Sequence, residues 1–71
     1  MNEGTIARLN PDRGFGFIRP ALGGADLFFH ASQVQGVAFE TLRAGQRVAF
    51  TRGRDPRHPA RQQAQEVRPL D

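Results

Sequence analysis

Turn-forming residues cut this 71-residue chain into pieces that are mostly too short for packed helices. "NPDRG" at 10–14, "RPALGGAD" at 19–26, "QG" at 35–36, "RAGQ" at 43–46 and "RGRDPRHP" at 52–59 bring glycine, proline, asparagine or aspartate at short intervals. Each of these favours a chain reversal for its own backbone reason. Between them lie "TIARL" (5–9), "FGFIR" (15–19), "DLFFHA" (26–31) and "RVAFTR" (47–52). They are rich in β-branched and aromatic side chains, and their spacing predicts an all-β barrel or sandwich. The fifth segment, "ARQQAQEVR" (60–68), conflicts with that, because it holds helix formers and sets Ala60, Ala64 and Val67 at i, i+4 and i+7. Two alanines and a valine offer too little apolar area to hold so short a helix against a sheet. A strand is therefore expected here in preference to a short helix. Five strands of this length make one small barrel, and residues 1–71 read as a single domain.

A barrel of this size buries only about 60% of the surface its unfolded chain exposes, so its core is small. With no cysteine, no disulfide or thiolate zinc site can staple it, and packing alone must suffice. The start, "MNEGTIARLN", lacks the apolar centre of a signal peptide, and no window approaches the ~20 apolar residues that span a bilayer. A soluble, cytoplasmic protein with no membrane partner is expected. All ten basic residues are arginine; against seven acidic residues they give a net charge of +3. Arginine binds phosphate bidentately and stacks on flat rings, which favours a polyanion or nucleobase partner. On a small domain, +3 is also ordinary solubility charge.

Strand alternation sorts the aromatic residues. "FGFIR" sets Phe15, Phe17 and Arg19 on one face, Gly16 and Ile18 on the other; "DLFFHA" sets Phe28 and His30 against Leu27 and Phe29; "RVAFT" sets Val48 and Phe50 against Arg47, Ala49 and Thr51. Ile18, Leu27, Phe29, Val48 and Phe50, joined by Ile6, Leu9 and Leu42, suffice to fill a five-stranded barrel, with Gly14 and Gly16 at the inside or at a bend. Phe15, Phe17, Phe28 and His30 are then left outside. A plain core with Phe15 or Phe17 turned inward is the alternative, but both pairs cannot enter without expelling Leu27, Phe29 and Ile18. Exposing three phenylalanines costs roughly 1.5–3 kcal/mol each relative to burial, which implies a use. Stacking on single-stranded nucleic acid is the use that fits, at about 1–3 kcal/mol per base whatever the base. Arg8, Arg13, Arg19, Arg57 and Arg61 would track its phosphates.

The segments "GTIARLNPDRGFGFIRP", "DLFFHASQV" and "FETLRAGQRVAF" resemble a bacterial cold-shock domain over about residues 4–67. "RGFGFI" is similar to the family's first ribonucleoprotein-type motif, Lys-Gly-Phe-Gly-Phe-Ile, and "LFFH" to its second, Val-Phe-Val-His. The resemblance implies an OB-fold barrel of five antiparallel strands, the last covering 60–68, that binds single-stranded RNA or DNA, commonly as an RNA chaperone or cold-shock-type regulator. It implies a stacking surface of Phe15, Phe17, Phe28 and His30, with Phe39 in the long loop as a further ring. Arg13 stands where the family has a phosphate-facing lysine, and Asp26 where an acidic residue precedes the second motif.

Two departures from the family are plain. Ala7-Arg8-Leu9-Asn10 replaces Lys-Trp-Phe-Asn, so Arg8 stands for the first-strand tryptophan; Ala31 stands where an aromatic follows the histidine. At about 1–3 kcal/mol per lost stacking partner, binding is expected to be weaker, shorter in footprint and more dependent on arginine, with Arg8 offsetting part of the loss.

Catalysis has no support: His30 lies in a strand motif and His58 in a loop, with no HExxH, no cysteine and no GxxxxGK[ST]. No cofactor, metal or small-molecule substrate is expected. The rival is an OB-type protein–protein interaction module using the same aromatic patch. A monomer is expected, with a weak dimer through the patch as the other state.

Overall fold

Five strands close into a barrel in the computed structural model, which describes residues 1–70. They are β1 (Asn2–Asn10), β2 (Phe15–Pro20), β3 (Leu27–His30), β4 (Arg47–Asp55) and β5 (His58–Pro69), and they neighbour one another in the closed order β1-β2-β3-β5-β4. Two 3₁₀ turns, Ala31–Gln33 and Phe39–Thr41, lie in the β3–β4 connection. The expected all-antiparallel pairing needs one correction, because β3 and β5 run parallel, meeting at Phe28 and Gln63. The long β3–β4 crossover brings β5 back alongside β3 in the same direction. The 60–68 segment lies inside β5, so the strand expectation holds over the helix.

Its helix-like spacing has a local cause. Ala49 pairs with Arg68 but Thr51 pairs with Gln65, so Glu66 and Val67 together oppose Phe50, and Glu66 takes φ 51°. This β-bulge shifts the inward face by one residue. Ala64 and Val67, three apart, therefore both point inward and are fully buried, while Ala60 is exposed. A second irregularity lies in β1, where Ile6 pairs with Ile18 and Arg8 with Phe17, leaving Ala7 as the extra residue. Without it, Ile6 and Arg8 would share a face; with it, Ile6 is buried and Arg8 stands outside.

The core holds Ile6, Ile18, Leu27, Phe29, Leu42, Val48, Phe50, Ala64 and Val67, with Leu9 packed half-buried against it. Phe39 belongs to the same cluster: it is buried, and its ring centroid lies 6.1 Å from that of Phe29 in an edge-on arrangement. The expectation of a loop ring offered to a ligand is thus corrected. The β3–β4 connection has two apolar anchors, Phe39 at the start of its second 3₁₀ turn and Leu42 just after it, and both pack into the core.

Gly16 faces inward between two strands. A Cβ there would stand 2.8 Å from the Arg8 carbonyl oxygen, 2.8 Å from Phe29 Cε1 and 2.9 Å from Leu9 Cδ2. Backbone and a fully buried ring cannot both retreat, so Gly16→Ala is expected to destabilise the fold by about 1–3 kcal/mol, the usual cost of overpacking. Thermal unfolding of the variant measures this; an unchanged midpoint would mean that β1 and β2 separate there without strain.

Candidate nucleic-acid interface

The outer face of β2 and β3 is assembled by register. Phe15 pairs across the strands with His30 and Phe17 with Phe28, while Gly16 and Ile18 pair with the inward Phe29 and Leu27. Alternation then leaves Phe15, Phe17 and Phe28 half-buried and His30 exposed. The three rings support one another. Phe15 and Phe28 lie 5.5 Å apart at 34°, Phe15 and Phe17 5.9 Å apart at 88°, and Phe17 and Phe28 6.0 Å apart at 74°. Offset and edge-on contacts of this kind contribute about 0.5–1.5 kcal/mol per pair beyond area burial, and they hold the rings in fixed orientations.

Arginines lie against two of these rings. The Arg8 guanidinium carbon is 5.0 Å from the Phe17 centroid, delivered there by the β1 bulge, and the Arg61 guanidinium carbon is 5.5 Å from the Phe28 centroid. Such contacts are favourable through the ring quadrupole and leave the outer side of each guanidinium plane free to stack or donate. Arg19 sits farther along β2 and forms an exposed ion pair with Asp26 at 3.7 Å. Arg13 lies in the β1–β2 turn, where its backbone N–H donates to the Asn10 side chain at 3.3 Å and its side chain is solvent-exposed.

The rings separate two open clefts. One, of about 360 Å³, is lined by Ala7, Arg8, Phe17, Arg19 and Asp26. The other, of about 520 Å³, lies between the end of β3 and the β4–β5 hairpin, and its lining includes Phe28, His30, Arg57, His58, Arg61 and Gln63. His30 caps the first 3₁₀ turn: the Ser32 backbone N–H donates to its Nδ1 at 3.1 Å, and Ser32 Oγ lies 3.0 Å from the same nitrogen. With Nδ1 accepting, the neutral ring carries its proton on Nε2 and can donate outward.

Of the residues singled out from sequence, Phe15, Phe17, Phe28, His30, Arg8 and Arg61 come together on one surface, Arg57 joins them in the larger cleft, Arg19 and Arg13 flank them, and Phe39 is elsewhere. Sequence reasoning missed Gln63 and His58. Gln63 is the one buried polar residue among those described, 4% exposed, at the larger cleft and opposite Phe28. Its signal was present: once 60–68 is read as a strand, a glutamine immediately before an inward alanine points at the aromatic face.

Comparison with known proteins agrees with this architecture. Residues 2–70 match the family model described as "'Cold-shock' DNA-binding domain". A probable cold shock protein A of Mycobacterium tuberculosis is 44% identical over 70 residues, covering 99% of this chain and all of the relative. The cold shock-like protein CspD of Escherichia coli K12 is 48% identical over 50 residues, 70% of this chain and 68% of the relative. Among solved structures, "drosophila Unr CSD456" superposes with a TM-score of 0.80 at 33% identity, over 99% of this chain and 26% of that longer one. The chain belongs to the cold-shock domain family.

Proposed function

We propose that this barrel binds single-stranded RNA or DNA with little base preference, as an RNA chaperone or cold-shock-type regulator. Phe15, Phe17 and Phe28 stack the bases, His30 beside them stacks or donates a hydrogen bond, and Arg8, Arg13, Arg19, Arg57 and Arg61 meet the phosphates. The observation that carries the reading is the outward cluster of three mutually braced rings, with the guanidiniums of Arg8 and Arg61 laid against its members. Bases of any identity offer a flat face, so rings at fixed orientation recognise the unpaired state rather than a sequence. Membership of the cold-shock family and the names of its relatives support the same reading. The working unit is the barrel as a monomeric single domain in the cytoplasm; no helix among the described residues is long and apolar enough to cross a membrane.

Titration with short homopolymers, followed by amide chemical shifts, tests the reading directly. Signals of Phe15, Phe17 and Phe28 should move together at micromolar to millimolar oligonucleotide. If they stay still while a protein partner moves them, the patch is a protein-interaction surface instead.

Arg8 stands in the aromatic gap of β1, so part of the affinity is expected to be ionic. On a single strand log K falls with log salt by about 0.7 per phosphate neutralised, so Arg8→Ala should lower the slope by about that amount and weaken binding at low salt more than at high salt. A wild-type slope near zero would contradict the arginine roles while leaving the rings untouched.

A further inference from the structure

The β4–β5 hairpin extends past the barrel. The β1–β4 pairing begins at Asn2 and Phe50 and runs away from the hairpin, and β3 touches β5 at Phe28 and Gln63. From Thr51 to Gln62 neither arm of this two-stranded ribbon pairs with β1 or β3 and no residue is buried, although Thr51, Arg52 and Gly53 pair with Gln65, Ala64 and Gln63 at the wall of the barrel. These twelve residues carry Arg52, Arg54, Arg57 and Arg61 against a single carboxylate, Asp55, a net charge of +3. That equals the net charge of the whole chain, because the remaining six arginines are matched by six acidic residues. The uncompensated charge therefore sits on a segment that supplies no buried residue to the core.

The ribbon's arginines do not share one face. Arg61 lies over Phe28, on the side of the aromatic platform. Arg52 pairs across the ribbon with the inward Ala64, and its guanidinium carbon is 6.0 Å from the centroid of the fully buried Phe50. Arg54, two residues on and paired with Gln62, continues that opposite side, with its Nη1 donating to the Pro59 carbonyl at 2.9 Å. Arg52 also lines a separate depression of about 250 Å³ with Met1, Pro20 and Leu22, which shares no residue with either platform cleft. Leu22 is 99% exposed at its rim. Glu3, also in this lining, is paired with Arg47 at 3.4 Å, which leaves the arginines of the ribbon as the unmatched charge. A strand stacked on Phe15, Phe17 and Phe28 reaches Arg61 and Arg57 but cannot at once contact guanidiniums on the other side of a β-ribbon.

We propose that Arg52 and Arg54 form a second phosphate-binding face, on which another segment of nucleic-acid backbone lies while the platform holds the first. The proposal rests on the platform reading for the first segment. The second segment is recognised by its phosphodiester charge, through guanidinium forks, with Leu22 and Met1 offering apolar contact to its sugars and bases. The ribbon lies between two polyanions and lowers their repulsion, so the domain brings together two strands, or two stretches of one strand. That is a physical basis for strand exchange driven by charge neutralisation alone.

The test uses the whole chain and its Arg52→Ala/Arg54→Ala variant. Calorimetric titration with an oligothymidylate hexamer should give a tight and a weak site on the wild type. The variant should keep the tight site within about twofold and lose the weak one. Energy transfer between dyes on two separate oligonucleotides reports bridging of different strands; dyes at the two ends of one long strand report folding back of a single strand. At least one signal should rise with wild type and vanish with the variant, and Arg52→Lys/Arg54→Lys should restore part of it, since charge returns without the fork. With a long strand the salt slope should fall by about 1.4, because each of the two arginines neutralises one phosphate. Equal loss of the tight and weak sites would place these arginines in the platform site and overturn the proposal, as would energy transfer unaffected by the substitution. Failure of the platform reading looks different: the hexamer would leave the Phe15, Phe17 and Phe28 amides unmoved while those of Arg52 and Arg54 still shifted. Should the double variant not fold, Arg54→Glu alone, at an exposed ribbon position, is expected to abolish bridging with hexamer affinity retained.

Discussion

Phe15→Ala and Phe17→Ala together are expected to weaken binding of short oligothymidylates by about 2–6 kcal/mol, since each stacked base contributes ~1–3 kcal/mol. That corresponds to roughly 30-fold to 20,000-fold in affinity. The size of the effect follows from the composition of the surface. Arg8 occupies the aromatic position of β1 and Ala31 the position after His30, so only Phe28 and the imidazole of His30 remain to take over the stacking. Stability should change much less, because both rings are half-buried on the outside and the inward Gly16 and Ile18 keep β2 attached to the core. The edge-on packing among the rings, at about 0.5–1.5 kcal/mol per pair, sets the scale of that change. Oligonucleotide titration alongside thermal unfolding checks both halves. A folded variant with unchanged affinity would remove the platform, and a variant that no longer unfolds cooperatively would place the rings among the groups that hold the barrel together.

Phe39→Ala should do the reverse. The ring is 8% exposed and sits edge-on to the fully buried Phe29, and truncating a buried phenylalanine costs about 3–5 kcal/mol. A domain this small is expected near the low end of the ~5–15 kcal/mol range of native stabilities, so the variant should be barely folded at room temperature. At ~4–8 °C per kcal/mol for a chain of this length, its midpoint should drop by at least about 12 °C. The fraction that remains folded should bind single strands with near wild-type affinity. A stable Phe39→Ala protein with impaired binding would return this ring to the ligand surface.

The two phenylalanine substitutions mark where sequence reasoning reaches and where it stops. Phe15, Phe17, Phe28 and Phe29 lie in short strands, where alternation assigns each side chain a face, and the inward set Ile18, Leu27, Phe29, Val48 and Phe50 is buried in the structure. Phe39 lies in a connection with no period to count. An apolar residue in a loop is equally consistent with a ring held out to a ligand and with an anchor tying the loop down, and only its packing against Phe29 in the folded core decides between them. Gln63 was obscured for a related reason: the spacing of Ala60, Ala64 and Val67 imitated a helix because a bulge at Glu66 displaces the inward face by one residue.

Arg8 illustrates the same limit at the interface itself. By plain alternation it shares a face with Ile6, whereas the extra residue at Ala7 carries it outward and onto Phe17. A bulge leaves almost no local signature in composition, since what sustains it is the twist of neighbouring strands and the need to close the sheet on itself.

By itself, then, the sequence determined the element types, most of the core and the two-residue phase of the aromatic motifs, because these depend on local backbone preference and on the period of one strand. The tertiary structure decided the faces of Arg8 and Phe39, the parallel closure of β3 on β5, and the separation of the ribbon's arginines onto opposite sides. Each of those depends on how strands distant in the chain register against one another, a property set by closure of the barrel and carried by no single segment.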